Sequence, residues 1–426
     1  MTRGGRLFAR SLTTEQRPRT TKSRRSSTMP NQTVWQILTI DTGSSSLKVA
    51  LYEAGREETQ ILSGEVERIG VSGGRFHLAD GRGATLIDQG SDLPDHGAAL
   101  EAVLAALRCY RPDLSLDAVG HRVVHGGAHY SAPQRVTSEL IAALLELVPI
   151  APDHLPQAIQ AIQTVVRVHP DLPQVACFDT AFHRRMPRAA QLYPLPRRLA
   201  DEGVVRYGFH GLSYESILRE LRVLAPREAE GRVVIAHLGN GASMAAVRGG
   251  IGIDTTMGFT PAGGLMMGTR PGDLDPGVLL YLLVARGMTP AVVNDLINRD
   301  AGLLGVSGIS ADMRDLLERE AADAQAAEAI TLFCYQARKY LGALAAVLGG
   351  LDTLVFTAGI GENAPAVRLR VCEGFDFLGI QIDAHRNEAH APVISREGSS
   401  ATVRVMKTDE DLMVARHTRD LMEKRS

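Results

Sequence analysis

The sequence predicts an α/β protein made of two duplicated lobes with a nucleotide cleft between them. Two segments of the same pattern, 38–52 and 233–247, each read as an apolar strand, a glycine-rich turn and a second strand. A third glycine-rich turn, at 359–363, follows the apolar stretch that begins at Thr353. Past Met29 the predicted strands and helices alternate, as is typical of α/β architecture. A single nucleotide held between two lobes would use all three turns.

The remaining elements follow from apolar periodicity and from the positions of Gly and Pro. We expect the first lobe to comprise 34–182 plus the C-terminal helix at 412–426, and the second, nucleotide-binding lobe to comprise 183–411. Further strands are expected around Val119, Val175, Val204, Val233, Val355 and Val403. Helices are expected over 97–109, 138–148, 156–168, 213–224, 278–286, 290–299, 321–348 and 409–424.

Composition restricts the class of protein. The 426 residues carry a net charge of -2, which gives no basic footprint for nucleic acid, and no run reaches the ~18 apolar residues of a membrane span. The four cysteines are far apart and form no CxxC motif, so ordinary thiols in a reducing compartment are expected. We therefore expect a cytoplasmic protein of two or three domains with no nucleic-acid or membrane partner.

Residues 1–33 form a separate segment, predicted to be a disordered basic extension. The first 28 residues contain eight Lys or Arg and a single acidic residue, Glu15, with many Ser and Thr. Such a stretch cannot bury a core. Three interpretations stay open: a disordered tail, a transit peptide, or a translation artefact upstream of a true start at Met29. We favour the tail or the artefact, because little of an apolar face is evident.

The turn from Asp41 to Lys48 has the composition of a phosphate site. Gly43 lets the backbone present its N–H groups, and three serine hydroxyls follow it. Asp41, at the end of the first strand, is placed to hold hydrated Mg²⁺, which takes few protein carboxylates. On these residues alone, a purely structural serine-rich turn remains the alternative.

Four polar clusters carry the remaining candidate chemistry. Arg122 and Arg270 each lie in a glycine-rich frame, where a planar guanidinium can grip a carboxylate or phosphate from two sides. His210 lies in Tyr-Gly-Phe-His-Gly and is a candidate donor to a transferring phosphoryl group. Asp179 ends an apolar strand, so a partner such as an arginine or metal-bound water is expected. A surface arginine and a structural turn histidine are the alternatives for Arg122 and His210.

Taken together, these segments resemble the acetate and propionate kinase family. The motifs DTGSSSLK, HRVVHGG, FDTAFH, YGFHG, HLGNGAS, GLMMGTR, GVSGISADMRDL and FTAGIGEN occur in the family's order between about Ile37 and Arg416. The resemblance implies the fold of the acetate and sugar kinase, Hsp70 and actin superfamily, with two ribonuclease-H-like lobes around a nucleotide. It also implies a homodimer.

Site residues follow from this resemblance position by position. It implies catalytic roles for Arg122, Asp179, His210 and Arg270, and metal binding by Asp41 and Glu410. Arg122, Val124, Asp153, Phe209 and Pro261 would bind the substrate. ATP would be bound by Ser44, Ser46, Lys48, His237, Leu238, Gly239, Asn240, Gly241, Asp312, Met313, Arg314, Gly359, Ile360, Gly361, Glu362 and Asn363.

The implied activity is that of an acetate kinase: reversible, direct in-line transfer of the γ-phosphoryl group of ATP to acetate, giving acetyl phosphate and ADP, with Mg²⁺ as the metal ion and Mn²⁺ as the alternative. Acetate is already ionised, so the difficulty is repulsion between anions, which arginines, the metal ion and His210 would offset. Asp179 would then orient an arginine or metal water. Propionate, butyrate or a polar short-chain acid is the alternative substrate. A non-catalytic ATP-binding scaffold is the remote alternative, which would have no reason to keep the two arginines and His210 together.

Two positions depart from the family pattern. The family usually has asparagine where this chain has Asp41, which adds a negative charge near the metal and the γ-phosphate. The family's leucine in Pro-Leu-His-Asn-Pro is replaced by Asp153 in Pro-Asp-His-Leu-Pro. Burying an unpaired charge against a methyl group is costly, so either Asp153 turns outward or the substrate carries a polar group. We favour the outward orientation.

Overall fold

Two β-sheets organise the chain in the computed structural model, which describes residues 34–424. The predicted extension at 1–33 lies outside the described residues. The strands are β1 Trp35–Thr42, β2 Ser46–Ala54, β3 Glu58–Glu67, β4 Arg75–Asp80, β5 Thr85–Gly90, β6 Ala118–Val123, β7 Gln134–Arg135, β8 Gln174–Phe178, β9 Arg232–Leu238, β10 Ala242–Arg248, β11 Ile251–Thr255, β12 Thr353–Thr357 and β13 Thr402–Val405.

Helices of very different length surround the sheets. The α-helices are α1 His96–Tyr110, α2 Ser138–Glu146, α3 Leu155–Val168, α4 Arg188–Gln191, α5 Arg197–Asp201, α6 Gly211–Leu224, α7 Pro226–Ala229, α8 Pro276–Leu280, α9 Pro290–Asp295, α10 Gly302–Ser307, α11 Met313–Arg319, α12 Ala324–Leu348, α13 Ala358–Asn363, α14 Pro365–Cys372, α15 Ala384–Glu388 and α16 Glu410–Glu423. Short 3₁₀ segments occupy Ala181–Arg185 and Asp376–Leu378, and π-helical turns occupy Tyr281–Ala285 and Leu296–Asp300. Among the described residues, no helix combines the length and apolarity needed to cross a membrane.

The two sheets share one strand order. The second sheet runs β11-β10-β9-β12-β13, and the first contains the equivalent series β3-β2-β1-β6-β8, extended by β4, β5 and β7. In both, the first three strands are antiparallel and the last two join as parallel neighbours. This repeated five-stranded unit agrees with the duplication that the two similar hairpins predict.

Both faces of each sheet are covered. Helices α1 and α3 pack on one face of the first sheet, and α16 packs on the other, where Ala415 joins Ile37 and Ala50 in one buried cluster. In the second sheet, α12 covers one face and α6 the other. The fit of α16 is close at Gly120, since a Cβ there would lie 2.6 Å from Val414. The C-terminal helix α16 therefore covers the second face of the first sheet.

Most of the predicted elements are present, with three kinds of difference. The strand expected around Val204 is absent, and only an isolated bridge joins Leu192 to Val205. The strands β3 to β5 were not predicted, because antiparallel strands with one exposed face alternate polar and apolar residues and show weak apolar runs. The helices expected over 278–286 and 290–299 are each part α-helix and part π-helical turn.

The buried imidazole of His121 predicts that stability depends on pH. Its Nε2 lies 2.7 Å from Oε1 of Gln174, and burial lowers the pKa of His121 from 6.5 to about 4. Between these values the unfolded chain binds a proton that the folded chain does not, so the free energy of unfolding falls as the pH is lowered from 6.5 toward 4. This imidazole alone can contribute up to about 3 kcal/mol, since one pKa unit corresponds to ~1.4 kcal/mol.

Urea unfolding of the wild type and of His121→Gln at pH 7.0, 6.0 and 5.0 tests this prediction. We expect His121→Gln to reduce the pH dependence by close to one proton between pH 6 and 5. The exposed His129 provides the matched control, and His129→Gln should retain the wild-type slope. Equal slopes in all three proteins would show that His121 does not carry the effect.

Candidate active site

Two cavities meet where the carboxyl ends of the parallel strands face each other. The first, of about 450 Å³, is lined by residues of both sheets, including Asp41, Lys48, Arg122, His210 and Arg270. The second, of about 880 Å³, lies beside α11 and α13 in the second sheet's half of the molecule. Asn240, in the turn between β9 and β10, lines both cavities. One elongated ligand can therefore reach from one cavity into the other.

Arg122 is held by three carboxylates at the end of β6. Its Nε and Nη2 donate to the two carboxylate oxygens of Asp179 at 3.1 and 2.7 Å, in a bidentate pair. Its Nη1 donates to Asp41 at 3.0 Å, and Nη2 lies 3.3 Å from Glu410. Asp179 is almost completely buried, and it also lines the first cavity.

This cluster has an excess of negative charge. Burial opposes the charged form of Arg122, but Asp179, Asp41 and Glu410 hold its pKa above the ordinary value. Burial also raises the pKa of Glu410, an effect that Arg122 only partly offsets. Oε2 of Glu410 has no hydrogen-bond partner within the described residues. Asp41 and Glu410 both pair with Arg122, so their two negative charges are balanced by one guanidinium. Such a pair of carboxylates fits a hydrated Mg²⁺ ion, which prefers one or two carboxylates and keeps several waters.

Arg270 also lines the first cavity and adds positive charge to it. Its Nη1 donates to the carbonyl of Pro261 at 2.8 Å, and within residues 34–424 no carboxylate lies within 4.0 Å of its guanidinium. Burial lowers the pKa of Arg270 to about 10, which leaves it charged at neutral pH. A Cβ on Gly241 would lie 3.0 Å from Nη2 of Arg270 and 3.2 Å from Nε2 of His210. Glycine at 241 therefore keeps space between these two donors.

His210 is a neutral hydrogen-bonding group and not a second cation. Its Nδ1 lies 2.8 Å from Oγ of Ser243, which also contacts the hydroxyl of Tyr214. Burial, together with neighbouring His237 and the arginines, lowers the pKa of His210 well below 6.5. The ring stacks on His237 at 4.1 Å, and His210 adopts a left-handed backbone with φ of 57°. The sequence indicated His210 but gave no sign of its contacts with Ser243 and Tyr214.

The first glycine-rich turn lies at the wall of the first cavity as predicted. Ser44, Ser46 and Lys48 all line it. Gly43 donates its N–H to the carbonyl of Ser46 at 2.9 Å, and a Cβ on Gly43 would lie 2.5 Å from the Ser46 hydroxyl. His96, at the start of α1, contacts the Gly43 carbonyl through Nε2 at 2.9 Å and was not predicted. The turn is therefore stabilised by its own hydrogen bond between Gly43 and Ser46 and by the contact with His96 of α1.

The second turn contributes fewer residues than predicted. Gly239, Asn240 and Gly241 line the cavities, whereas His237 and Leu238 do not. Leu238 is fully buried in the core, and Nδ1 of His237 lies 2.8 Å from the Ser213 hydroxyl. These two side chains are consecutive in β9 and point to opposite faces of the sheet, so each packs beneath the turn on a different face.

The second cavity has the other predicted nucleotide residues at its wall. Asp312, Met313 and Arg314 line it on one side, and Gly359, Ile360 and Asn363 line it on the other. Gly361 and Glu362 do not line it; Oε1 of Glu362 accepts the N–H of Ala358 at 2.8 Å and so fixes the turn.

Arg368 supports this turn and was not predicted from the sequence. It is fully buried, and its Nη1 donates to the carbonyls of Gly361 and Glu362 at 3.0 and 2.8 Å. Its Nε donates to Asn387 at 2.8 Å. The helical periodicity of α14 gives no signal for a buried arginine.

The apolar end of the first cavity contains an ion pair. Val124, Phe209 and Pro261 line this cavity, as does Asp153. The Asp153 carboxylate does not turn outward as expected: it accepts a hydrogen bond from Nη2 of Arg299 at 2.9 Å. Arg299 follows Asn298, which also lines the cavity. The sequence indicated Asp153 but not its partner, because 146 residues separate the two.

This fold and this pair of cavities define a phosphotransferase with two lobes and a nucleotide site between them. The sequence profile of the Acetokinase family matches residues 36–416, and the chain belongs to this family. The predicted resemblance, the duplicated ribonuclease-H-like fold and the enzyme class, a phosphotransferase with a carboxyl-group acceptor, are thereby confirmed.

Individual relatives agree over almost the whole chain. The acetate kinase of Methylocella silvestris is 49% identical over 399 residues, covering 91% of this chain and 98% of that protein. The acetate kinase of Rhizobium meliloti is 46% identical, covering 90% and 97%. Among crystal structures, Porphyromonas gingivalis acetate kinase has a TM-score of 0.82 at 38% identity, covering 91% and 100%. A Francisella tularensis propionate kinase has a TM-score of 0.84 at 32% identity, covering 91% and 99%.

The carboxylate of Asp41 should determine how strongly the site holds a divalent cation. We expect Asp41→Asn to raise the Mg²⁺ concentration for half-maximal phosphoryl transfer by ~10-fold, because it removes a charged oxygen from the cluster while keeping its shape. Rates measured across Mg²⁺ and Mn²⁺ concentrations test this. Asp88→Asn, which alters an exposed carboxylate paired with Arg75, serves as the control. Superimposable metal curves for Asp41→Asn and wild type would contradict the assignment.

Proposed function

We propose that this chain transfers the γ-phosphoryl group of ATP reversibly to the carboxylate of acetate, giving acetyl phosphate and ADP. The observation that carries this proposal is the position of Arg270: a half-buried guanidinium, without an ion pair in residues 34–424, that lines the same cavity of about 450 Å³ as Arg122. The adjoining cavity beside α11 and α13 suits the adenosine moiety of ATP. Free thiols at all four cysteines support a reducing, cytoplasmic setting.

The transfer is a direct in-line attack of the acetate oxygen on the γ-phosphorus. Arg270 binds the anionic oxygens, and Arg122, held rigid by Asp179, approaches from the other side of the cavity. Nε2 of neutral His210 hydrogen-bonds an equatorial oxygen of the transferring group while Ser243 fixes the ring. Asp41 and Glu410 would hold Mg²⁺, which when bound supplies charge neutralisation at the phosphate oxygens. Asp179 remains with Arg122 throughout, since acetate needs no base.

Propionate is the second candidate acceptor. The structural similarity to the Francisella tularensis propionate kinase favours it. Acetate remains first, because the wall beyond Val124 and Pro261 carries the charged Asp153 and Arg299 where a longer apolar chain would need apolar contacts.

A hydroxamate assay with ATP, Mg²⁺ and acetate tests the proposed activity. We expect turnover with acetate, and a fall of at least ~100-fold in Arg270→Ala, whose loss removes charge stabilisation from the transition state. Arg167→Ala, at an exposed arginine paired with Glu101, should retain wild-type turnover. Circular dichroism would confirm that each variant folds. No acyl phosphate from any short-chain acid, with ATP bound, would instead identify a non-catalytic scaffold.

We also propose that the chain forms a homodimer through a helical hairpin at 276–300, which comprises α8, α9 and the two π-helical turns. Its apolar side chains are unusually exposed: Leu280 by 62%, Tyr281 by 53%, Val284 by 80% and Val292 by 50%. Such a contiguous apolar patch is typical of an interface. A second copy of the same surface is the expected partner, as in most soluble oligomers.

Light scattering after size-exclusion chromatography tests the assembly. We expect Leu280→Glu combined with Val284→Glu to convert a dimer into monomers, because each carboxylate would lose its water in the interface. Val223→Glu alters an equally exposed valine on α6 and should leave the dimer intact. A wild-type monomer at micromolar concentration, or a double variant that stays dimeric, would refute this interface.

A further inference from the structure

The ion pair between Asp153 and Arg299 links two distant segments at one end of the first cavity. Asp153 lies just before α3, beside the first sheet, and Arg299 lies in the π-helical turn Leu296–Asp300 at the end of the 276–300 hairpin. Nη2 of Arg299 donates to Oδ1 of Asp153 at 2.9 Å, and its Nη1 lies 3.3 Å from Asp295. Arg299 is thus oriented by two carboxylates.

The Asp153–Arg299 ion pair forms part of the wall of the first cavity. Both residues line the cavity that also contains Val124 and Pro261. The Asp153 side chain is 22% exposed and that of Arg299 is 62% exposed, so the carboxylate is partly buried and the guanidinium reaches the solvent. Arg270 is close enough for the Asp153 charge to influence it. The wall therefore presents a hydrated, charged surface to any acid held by Arg270.

We propose that Asp153 and Arg299 determine the specificity of the acyl site by excluding apolar chains longer than that of acetate. This inference rests on the proposed function. Val124, Phe209 and Pro261 supply the apolar lining of this cavity, and in our proposal they hold the methyl group of acetate while an additional methylene reaches the ion pair. At the ion pair this methylene gains no apolar contact and displaces water from charged atoms. The longer acid therefore lacks the gain in binding free energy that an apolar pocket would give it.

The positive charge of Arg299 also favours acetate binding, because it neutralises the Asp153 carboxylate. Without Arg299, the Asp153 carboxylate would remain in the cavity unpaired and repel the acetate anion. We expect Arg299→Gln to raise KM for acetate several-fold with a smaller change in kcat, and the increase in KM should diminish at high salt. A merely structural role of Arg299 would not produce this salt-dependent separation of KM from kcat.

Hydroxamate kinetics with acetate, propionate, butyrate and glycolate test the proposal. The variants are Arg299→Gln, the apolar pair Asp153→Leu with Arg299→Leu, and the charge swap Asp153→Arg with Arg299→Asp. We expect the apolar pair to raise the ratio of kcat/KM for propionate over acetate by ~10-fold or more. The charge swap should restore the wild-type ratio. Arg75→Gln, at an exposed pair with Asp88, is the matched control and should change neither KM nor the ratio.

Each outcome bears on a distinct statement. A propionate-to-acetate ratio within twofold of wild type in the apolar pair, with acetate turnover retained, overturns the specificity role and leaves the proposed function standing. A wild type that prefers glycolate overturns it as well, because the ion pair would then recognise a hydroxyl group. If the apolar pair fails to fold, an unchanged acetate KM in Arg299→Gln overturns the proposal. A wild type inactive with every acid refutes the proposed function and this inference with it.

Discussion

The guanidinium of Arg122 is the point on which the site depends, because it joins carboxylates from three remote parts of the chain. Asp41 ends β1, Asp179 follows β8, and Glu410 begins α16. The bidentate contact with Asp179 fixes the plane of the guanidinium, while Asp41 contacts Nη1 and Glu410 lies near Nη2. Removing one partner of this partly buried cluster leaves uncompensated charge, so the positions of the strand ends and of α16 are mutually constrained.

The cavity separates its charges. Around Arg122 acidic groups outnumber the cation, whereas Arg270 stands without an ion pair in the described chain and His210 is neutral. This division suits a reaction between two anions: one side accepts a divalent cation and the other accepts oxygens of the acid and of the phosphoryl group. A cationic His210 stacked on His237 would be destabilised by both neighbouring arginines. Its value lies in directed hydrogen bonding, which Ser243 and Tyr214 maintain.

The sequence predicted local features well and long-range contacts poorly. The hairpins around Gly43 and Gly239 were identifiable because apolar strands flank glycine-rich turns, and their repetition indicated the duplication. The strands β3 to β5 were not predicted, because polar residues interrupt their apolar pattern. Site residues with charged or titratable side chains in glycine-rich motifs, such as Arg122 and His210, were recognisable from the sequence. Partners that only support them, such as Ser243 and Arg368, were not, since a serine or arginine in a helix or strand has no distinctive spacing. The Asp153–Arg299 pair exists only once the chain is folded.

The packing of α16 has a consequence for the order in which the molecule can form. This helix covers one face of the first sheet, at Ile37, Ala50 and Gly120, yet it is synthesised long after the strands it covers. The first sheet therefore emerges with that apolar face uncovered until residues 410–423 have been made. Because Glu410 begins the same helix, the event that seals this core also delivers the last carboxylate to Arg122. A ribosome-bound chain that stops before residue 410 would therefore lack both the cover of the first sheet and the third carboxylate at Arg122.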